Sequence, residues 1–104
     1  MDFLYENNRI YAQDDQGKTI VEATFPTIED GVVNIDHTFV DPSLRGQGIA
    51  SKLMHEVYRY VKEKGYEVVY TCPYATVWFK RNPDKTDIIA ERLQESMHPE
   101  CRIV

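Results

Sequence analysis

The stretch from Asp41 to Leu53, Asp-Pro-Ser-Leu-Arg-Gly-Gln-Gly-Ile-Ala-Ser-Lys-Leu, constrains this chain more than any other. A strand-like run, Gly31 to Val40, leads into it, and the longest amphipathic pattern in the sequence leads out of it. Arg45, Gly46 and Gly48 therefore stand where a helix begins. The first N–H groups of a helix have no partner within it, and the macrodipole places partial positive charge there. Glycines let a bound group approach the backbone closely, because no Cβ intervenes. Strand, glycine turn and helix start together predict an anion site, and residues 45 to 50 are expected to hold a phosphate-bearing cofactor.

The rest of the chain must fold around that turn. Phe3 to Tyr5 and Arg9 to Gln13 read as short strands joined through Glu6-Asn7-Asn8, since asparagine tolerates the left-handed backbone of a tight hairpin. Asp14-Asp15-Gln16-Gly17 is a second turn, and Thr19 to Phe25 alternates like a strand. Pro26 to Gly31 reads as a turn and Gly31 to Val40 as the fourth strand of an antiparallel meander. On that strand Val33, Ile35, His37 and Phe39 are expected to share one face, and Val32, Asn34, Asp36 and Thr38 the other.

From Gly48 to Lys64 the period changes to that of a helix, with Ile49, Leu53, Met54, Val57, Tyr60 and Val61 in one stripe and Gly65 as its stop. Glu67 to Cys72 suits a buried strand, which a right-handed crossover places parallel to the strand ending at Val40. Pro73 ends it. Ala75 to Arg81 reads as a second helix closed by Asn82-Pro83, with Trp78 and Phe79 as core residues, and Ile88 to Met97 has helical spacing. The expected architecture is α/β (α+β): a mixed, mostly antiparallel sheet of about five strands with two to three helices. Its 104 residues suit one domain, with residues 84–104 an extension of uncertain role.

Composition narrows the class. Hydrophobic content of 42% and charged content of 28% fit a globular protein. No apolar run is long enough to span a bilayer, and Met-Asp-Phe-Leu-Tyr-Glu lacks the features of a signal peptide, so no membrane partner and a cytoplasmic location are expected. The net charge of −5 argues against nucleic acid as a partner. Residues 1–43 carry −7 and residues 44–104 carry +2, an asymmetry that suits a cationic substrate and a phosphate ligand but is also ordinary solvated charge. Cys72 and Cys101 are too few for a disulfide scaffold and lack zinc-ligand spacing, so reduced thiols and no metal are expected.

Other phosphate loops fail on spacing. A Walker A loop needs Gly-Lys-Ser/Thr after four residues, which is absent. A dinucleotide fingerprint needs a third glycine where Ser51 stands, and it belongs to repeated βαβ units. A plain tight turn at Gly46 and Gly48 remains the competing reading.

Arg45-Gly46-Gln47-Gly48-Ile49-Ala50 resembles the Arg/Gln-x-x-Gly-x-Gly/Ala signature of the GNAT superfamily of acyl-CoA-dependent N-acetyltransferases. His37-Thr38 before the loop and Cys72-Pro73-Tyr74 after the next strand resemble its small single-domain branch, over roughly residues 3–83. The resemblance implies a GNAT-like fold and an acetyl-CoA-dependent N-acetyltransferase acting on a primary amine, whether of a protein, peptide, polyamine or small molecule. It implies that the amides of Arg45, Gly46, Gln47, Gly48, Ile49, Ala50 and Ser51 bind the pyrophosphate of coenzyme A. Pantetheine would run between strands that splay apart after Val40 and Cys72, with Tyr74 lining the channel. Lys52, Lys80 and Arg81 would meet the nucleotide phosphates, or are simply solvated. A monomer or weak dimer is expected. The alternative is a module that binds acetyl-CoA, or an interaction domain, without significant catalysis.

The catalytic candidates are His37 and Cys72. If the two strands end side by side, these residues approach each other, and a cysteine beside histidine can act as a nucleophile. In the other route the amine attacks directly, His37 takes its proton, and Cys72 lines the tunnel or protonates the departing thiolate. The superfamily favours the second. His37 is otherwise a core histidine, and Cys101 is expected to be structural.

Overall fold

The computed structural model describes residues 2–96; Met97 and Cys101, for which a helical position and a structural thiol are expected, lie outside that range. Strands β1 (Leu4–Glu6), β2 (Arg9–Gln13) and β3 (Thr19–Thr24) form the expected antiparallel meander. Glu6 pairs with Arg9 across the two-residue loop Asn7-Asn8, and Asn8 adopts φ +64°, which its short polar side chain tolerates.

The predicted turn at Pro26 to Gly31 contains a short strand, β4 (Thr27–Glu29). The predicted strand from Gly31 to Val40 divides at Asp36 into β5 (Val32–Ile35) and β6 (His37–Val40). β6 completes a four-stranded sheet in the order β1-β2-β3-β6. β5 lies between β4 and a later strand, β7 (Glu67–Tyr70), in a three-stranded sheet. β7 runs parallel to β5, as the crossover predicts, with Ile35 opposite Tyr70 at the last pair. The α/β architecture is therefore as expected, with its central strand shared between two sheets.

The division at Asp36 has a backbone cause. Thr24 pairs with His37, yet the N–H of Asp36 also donates to the carbonyl of Thr24 at 3.3 Å. Two residues oppose one, as in a β-bulge, and the alternation slips by one. Val33 and Ile35 face the core before the slip; Thr38 and Val40, paired with the buried Ala23 and Val21, face it afterwards. His37 and Phe39 lie on the opposite face with Thr24 and Glu22, so the predicted grouping of His37 with Val33 and Ile35 is corrected.

Helix α1 (Ile49–Lys64) is amphipathic as predicted and buries Ile49, Leu53, Met54, Val57 and Val61 against the sheets. Gly65 ends it at φ +73°, its N–H donating to the carbonyl of Lys62 at 3.1 Å while Tyr66 donates to Val61 at 3.0 Å. This is a Schellman cap, which needs a left-handed residue. Gly65→Ala is expected to cost about 1–2 kcal/mol, the penalty of a Cβ in that conformation. Urea unfolding with an unchanged denaturant slope checks it.

Helix α2 (Pro73–Arg81) starts two residues before its predicted limit, because proline suits the first helical position. Trp78 and Phe79 are buried in the main core, as expected. The predicted helix from Ile88 is replaced by a 3-10 segment (Pro83–Ile88) and a single turn, α3 (Glu91–Gln94). Ile89 bridges to Val68, and Ala90 donates to the Val68 carbonyl at 2.8 Å. The side chain of Gln94 accepts from the Tyr70 N–H at 2.8 Å and donates to the Tyr70 carbonyl at 3.1 Å. A side-chain amide thus takes the place of a neighbouring strand. Ala90, with Leu93 beside it, covers Val32 and Val69 in a second small core. Burial on both faces of β7 is why its apolar run carries no alternation.

Candidate active site

The site begins where the strands part. The carbonyl of Ile35 accepts from the N–H of Thr71 at 3.1 Å and of Cys72 at 3.2 Å. Beyond it β6 turns to β3 while the chain after β7 enters α2, so a fork opens between them. Asp41 donates to the Ile20 carbonyl at 2.8 Å, which fixes which backbone groups of β6 face β3. By the alternation of an antiparallel ladder, the groups of Thr38 and Val40 face the fork. The Val40 carbonyl accepts there from Arg45 Nε at 3.1 Å.

The loop between β6 and α1 is held by short-range bonds. The Asp41 carboxylate accepts from the Ser43 N–H at 3.0 Å and hydroxyl at 2.5 Å. These bonds, with a smaller contribution from Lys18, hold its carboxyl below the usual range. A 3-10 turn over Pro42–Leu44 follows. Gly46 and Gly48 take φ +84° and +74°, left-handed values that favour glycine. The first backbone bond of α1 runs from the Lys52 N–H to the Gly48 carbonyl at 3.1 Å, which leaves the N–H groups of Ile49, Ala50 and Ser51 at the helix end without helical acceptors.

Those groups open on a cavity of about 250 Å³. Its walls include Val40, Arg45, Gly46, Gly48, Ile49, Ala50, Ser51 and Tyr74. Leu44 and Arg81 complete it. Gln47 and Lys52 are exposed and do not line it, and Gln47 instead reaches the Ser43 carbonyl at 3.5 Å. Lys80 is exposed as well. The Ser51 hydroxyl accepts from Trp78 Nε1 at 3.1 Å, joining the start of α1 to the buried face of α2. A Cβ placed on Gly46 or Gly48 would meet no atom within 4 Å, so the space above both is open. The residues around it suit an anion: backbone donors, the helix end and the arginines.

Cys72 occupies the cap position of α2 and is 5% exposed. Its sulfur lies 3.4 Å from the hydroxyl of Thr38. Burial pushes the Tyr74 phenol up from its ordinary value, the Cys72 sulfur adds to this, and Arg81 opposes it.

His37 stands on the other face of β6, with half its side chain exposed and Nε2 3.6 Å from Glu22 Oε1. The second oxygen of Glu22 accepts from Arg9 Nε at 2.6 Å, which fixes the carboxylate. The expected approach of His37 to Cys72 is not the contact formed; the slip at Asp36 turns Thr38 to the sulfur and His37 away from it. Glu22 and Leu44 are the site residues that sequence reasoning missed, and Thr38 enters it without a role, as half of the His37-Thr38 pair. Glu22 was findable, because pairing the predicted strand with His37 in antiparallel register puts it on the same face.

A second cavity of about 260 Å³ lies at the far end of α1, between Tyr5, Arg59 and Lys64. It holds none of the predicted residues, and Arg59 is paired there with Glu56, Glu63 and Tyr5. Among the described residues no cluster of histidine, cysteine, aspartate or glutamate could hold a metal ion, and no helix is long and apolar enough to cross a membrane.

The same arrangement of elements is found in known proteins. The chain is similar to a GCN5-like candidate N-acetyltransferase from Staphylococcus aureus, with 26% identity, a TM-score of 0.71, and coverage of 85% of this chain and 86% of that one. It is also similar to YhbS, a GNAT family N-acetyltransferase from Escherichia coli solved in complex with CoA, at 30% identity and a TM-score of 0.55 over 64% of this chain. It spans 41% of that protein's length and 53% of the acetyltransferase from Bacillus cereus. Tetrahymena GCN5, at 14% identity and a TM-score of 0.59 over 70% of this chain and 48% of that one, shares the fold. No protein of curated function matches the chain. The profile of the family described as GCN5-related N-acetyl-transferase matches residues 9–88, most of the chain, and this protein belongs to that family.

Proposed function

We propose that this chain transfers the acetyl group of acetyl-CoA to a primary amine by direct attack of the amine on the thioester. The observation that carries the reading is the fork beside the glycine turn. It sets a cavity against Val40 of β6 beside the glycine turn, and His37 on the opposite face of that strand. The amides of Ile49, Ala50 and Ser51, with Arg45 and Arg81, hold the pyrophosphate and its neighbouring phosphate. The backbone groups of Thr38 and Val40 pair with pantetheine amides in the fork, as an added strand would. Tyr74 packs against the same channel.

The amine reaches the thioester from the outer face. Asp36 accepts from the Thr24 hydroxyl on that side, and its carboxylate favours a cationic acceptor, whereas the charge of Glu22 is met by Arg9. Its nitrogen attacks as the free amine, and His37 takes the proton released as the C–N bond forms. The C–S bond breaks, and the departing sulfur takes a proton from Cys72. Burial pushes the Tyr74 phenol up from its ordinary value and so weakens it as an acid, and we assign the proton to Cys72, whose sulfur meets Thr38 at the fork. The partner of Cys72 is Thr38 and not His37, which argues against a cysteine nucleophile activated by histidine.

The test pairs binding with turnover. Acetyl-CoA at 100 times its dissociation constant is expected to stabilise the fold by about 2.7 kcal/mol in a thermal shift measurement. Supplying spermidine, small amines or lysine peptides is then expected to release CoA. Stabilisation without release across the panel would assign the chain as a CoA-binding module, and no stabilisation would remove the cradle reading altogether.

A further inference from the structure

Thr38 is the residue of the fork whose chemistry is otherwise unused. Its side chain points to the core side of β6, where its paired neighbour Ala23 is fully buried and the next residue on that face is Val40. A valine has the same shape and would fill this position without a polar group to desolvate. Thr38 is half-buried, and the partner its hydroxyl has is the Cys72 sulfur at 3.4 Å. Sulfur is a weak hydrogen-bond partner, so the contact adds little to folding. It does, however, join β6 to the chain that follows β7 and so fix where the sulfur sits.

We propose that Thr38 is a positioning residue that acts through Cys72, its hydroxyl donating to the sulfur so that the S–H is left to face the departing thiolate of CoA. This rests on the transfer reaction set out above. When the C–S bond of the thioester breaks, its electron pair stays on the CoA sulfur, which takes the Cys72 proton. Cys72 is left as a thiolate, and the same Thr38 O–H now donates to a charged acceptor, a stronger bond than before. Solvent returns a proton to Cys72, and His37 releases the amine's proton to solvent. No other group is consumed. The hydroxyl serves both forms of the sulfur without moving, whereas a residue that could only accept would lose its contact at the moment charge develops.

The experiment compares wild type with Thr38→Val and Thr38→Ser by two readouts. The first is the rate of Cys72 alkylation by iodoacetamide at fixed pH without CoA, followed by peptide mass so that Cys101 is not counted. The second is steady-state acetyl transfer. Thr38→Val is expected to slow alkylation about tenfold and to lower kcat by a similar factor with KM for acetyl-CoA unchanged, as suits the loss of a hydrogen bond to a charged group. Thr38→Ser is expected to restore both, which a packing role would not predict. Equal alkylation rates in wild type and Thr38→Val would overturn the proposal. If Thr38→Val does not fold, Thr38→Ala compared with Thr38→Ser makes the same distinction. A wild type that alkylates faster than Thr38→Val but transfers nothing would overturn the proton-delivery role and the transferase reading, and leave the hydrogen bond established.

Discussion

Replacing His37 by alanine is expected to lower kcat for acetyl transfer by about 10²- to 10⁴-fold, the range that general acid–base catalysis supplies. KM for acetyl-CoA is expected to stay nearly constant, because His37 does not line the cavity proposed to hold the cofactor's phosphates. Stability is expected to change by no more than about 0.5 kcal/mol, since the side chain is half exposed and packs little. The separation of kcat from both other quantities follows from the proposed site: His37, the proposed base, lies on the face of β6 opposite Thr38 and Val40. Nε2 lies toward Glu22 at an ion-pair distance of 3.6 Å, too long for a firm hydrogen bond. In the neutral imidazole one ring nitrogen is free to accept a proton from the amine. Steady-state kinetics with a saturating amine check the result. A variant that keeps wild-type kcat would place the base elsewhere, and Cys72→Ala in the same assay separates the routes, because a covalent acetyl-cysteine cannot form without the sulfur.

The reversal between His37 and Thr38 shows where sequence reasoning stops. Alternation along Gly31 to Val40 is read with a period of two, and a period of two has no memory of which sheet a strand belongs to. The inserted residue at Asp36 is invisible to that reading, because an exposed aspartate fits either parity. The bulge is what lets one strand leave β7 and join β3, so the feature that inverts the faces is also the one that opens the fork. The glycine turn behaves differently. Positive φ at Gly46 and Gly48, the proline-led turn before them and the apolar stripe after them are all local, and local signals survive into the fold. Residues after Pro83 were illegible for a third reason. Ile88, Ile89 and Ala90 are buried as an edge cover for β7, and a side-chain amide that imitates a strand leaves no periodic trace in the sequence.

The cradle itself is best tested by a pair of glycines at the two ends of α1. Gly48 and Gly65 take nearly the same backbone conformation, φ +74° and +73°, and a Cβ on either meets no atom within 4 Å. Gly48→Ala and Gly65→Ala are therefore expected to cost the same stability, about 1–2 kcal/mol for a left-handed alanine. Their effects on CoA are expected to differ. At Gly65 the open space is solvent beyond the helix end. At Gly48 it is the space that the pyrophosphate would occupy, above the amides of Ile49, Ala50 and Ser51. A methyl group there holds the phosphates off those donors and weakens charge-assisted bonds that depend steeply on distance. Gly48→Ala is expected to raise the dissociation constant for CoA at least about tenfold, or 1.4 kcal/mol, while Gly65→Ala leaves it unchanged. Isothermal titration of both variants against CoA reads the difference directly. Because the stability cost is common to the two, any difference in affinity belongs to the anion site and not to the helix, and equal affinities would mean that the phosphates sit elsewhere.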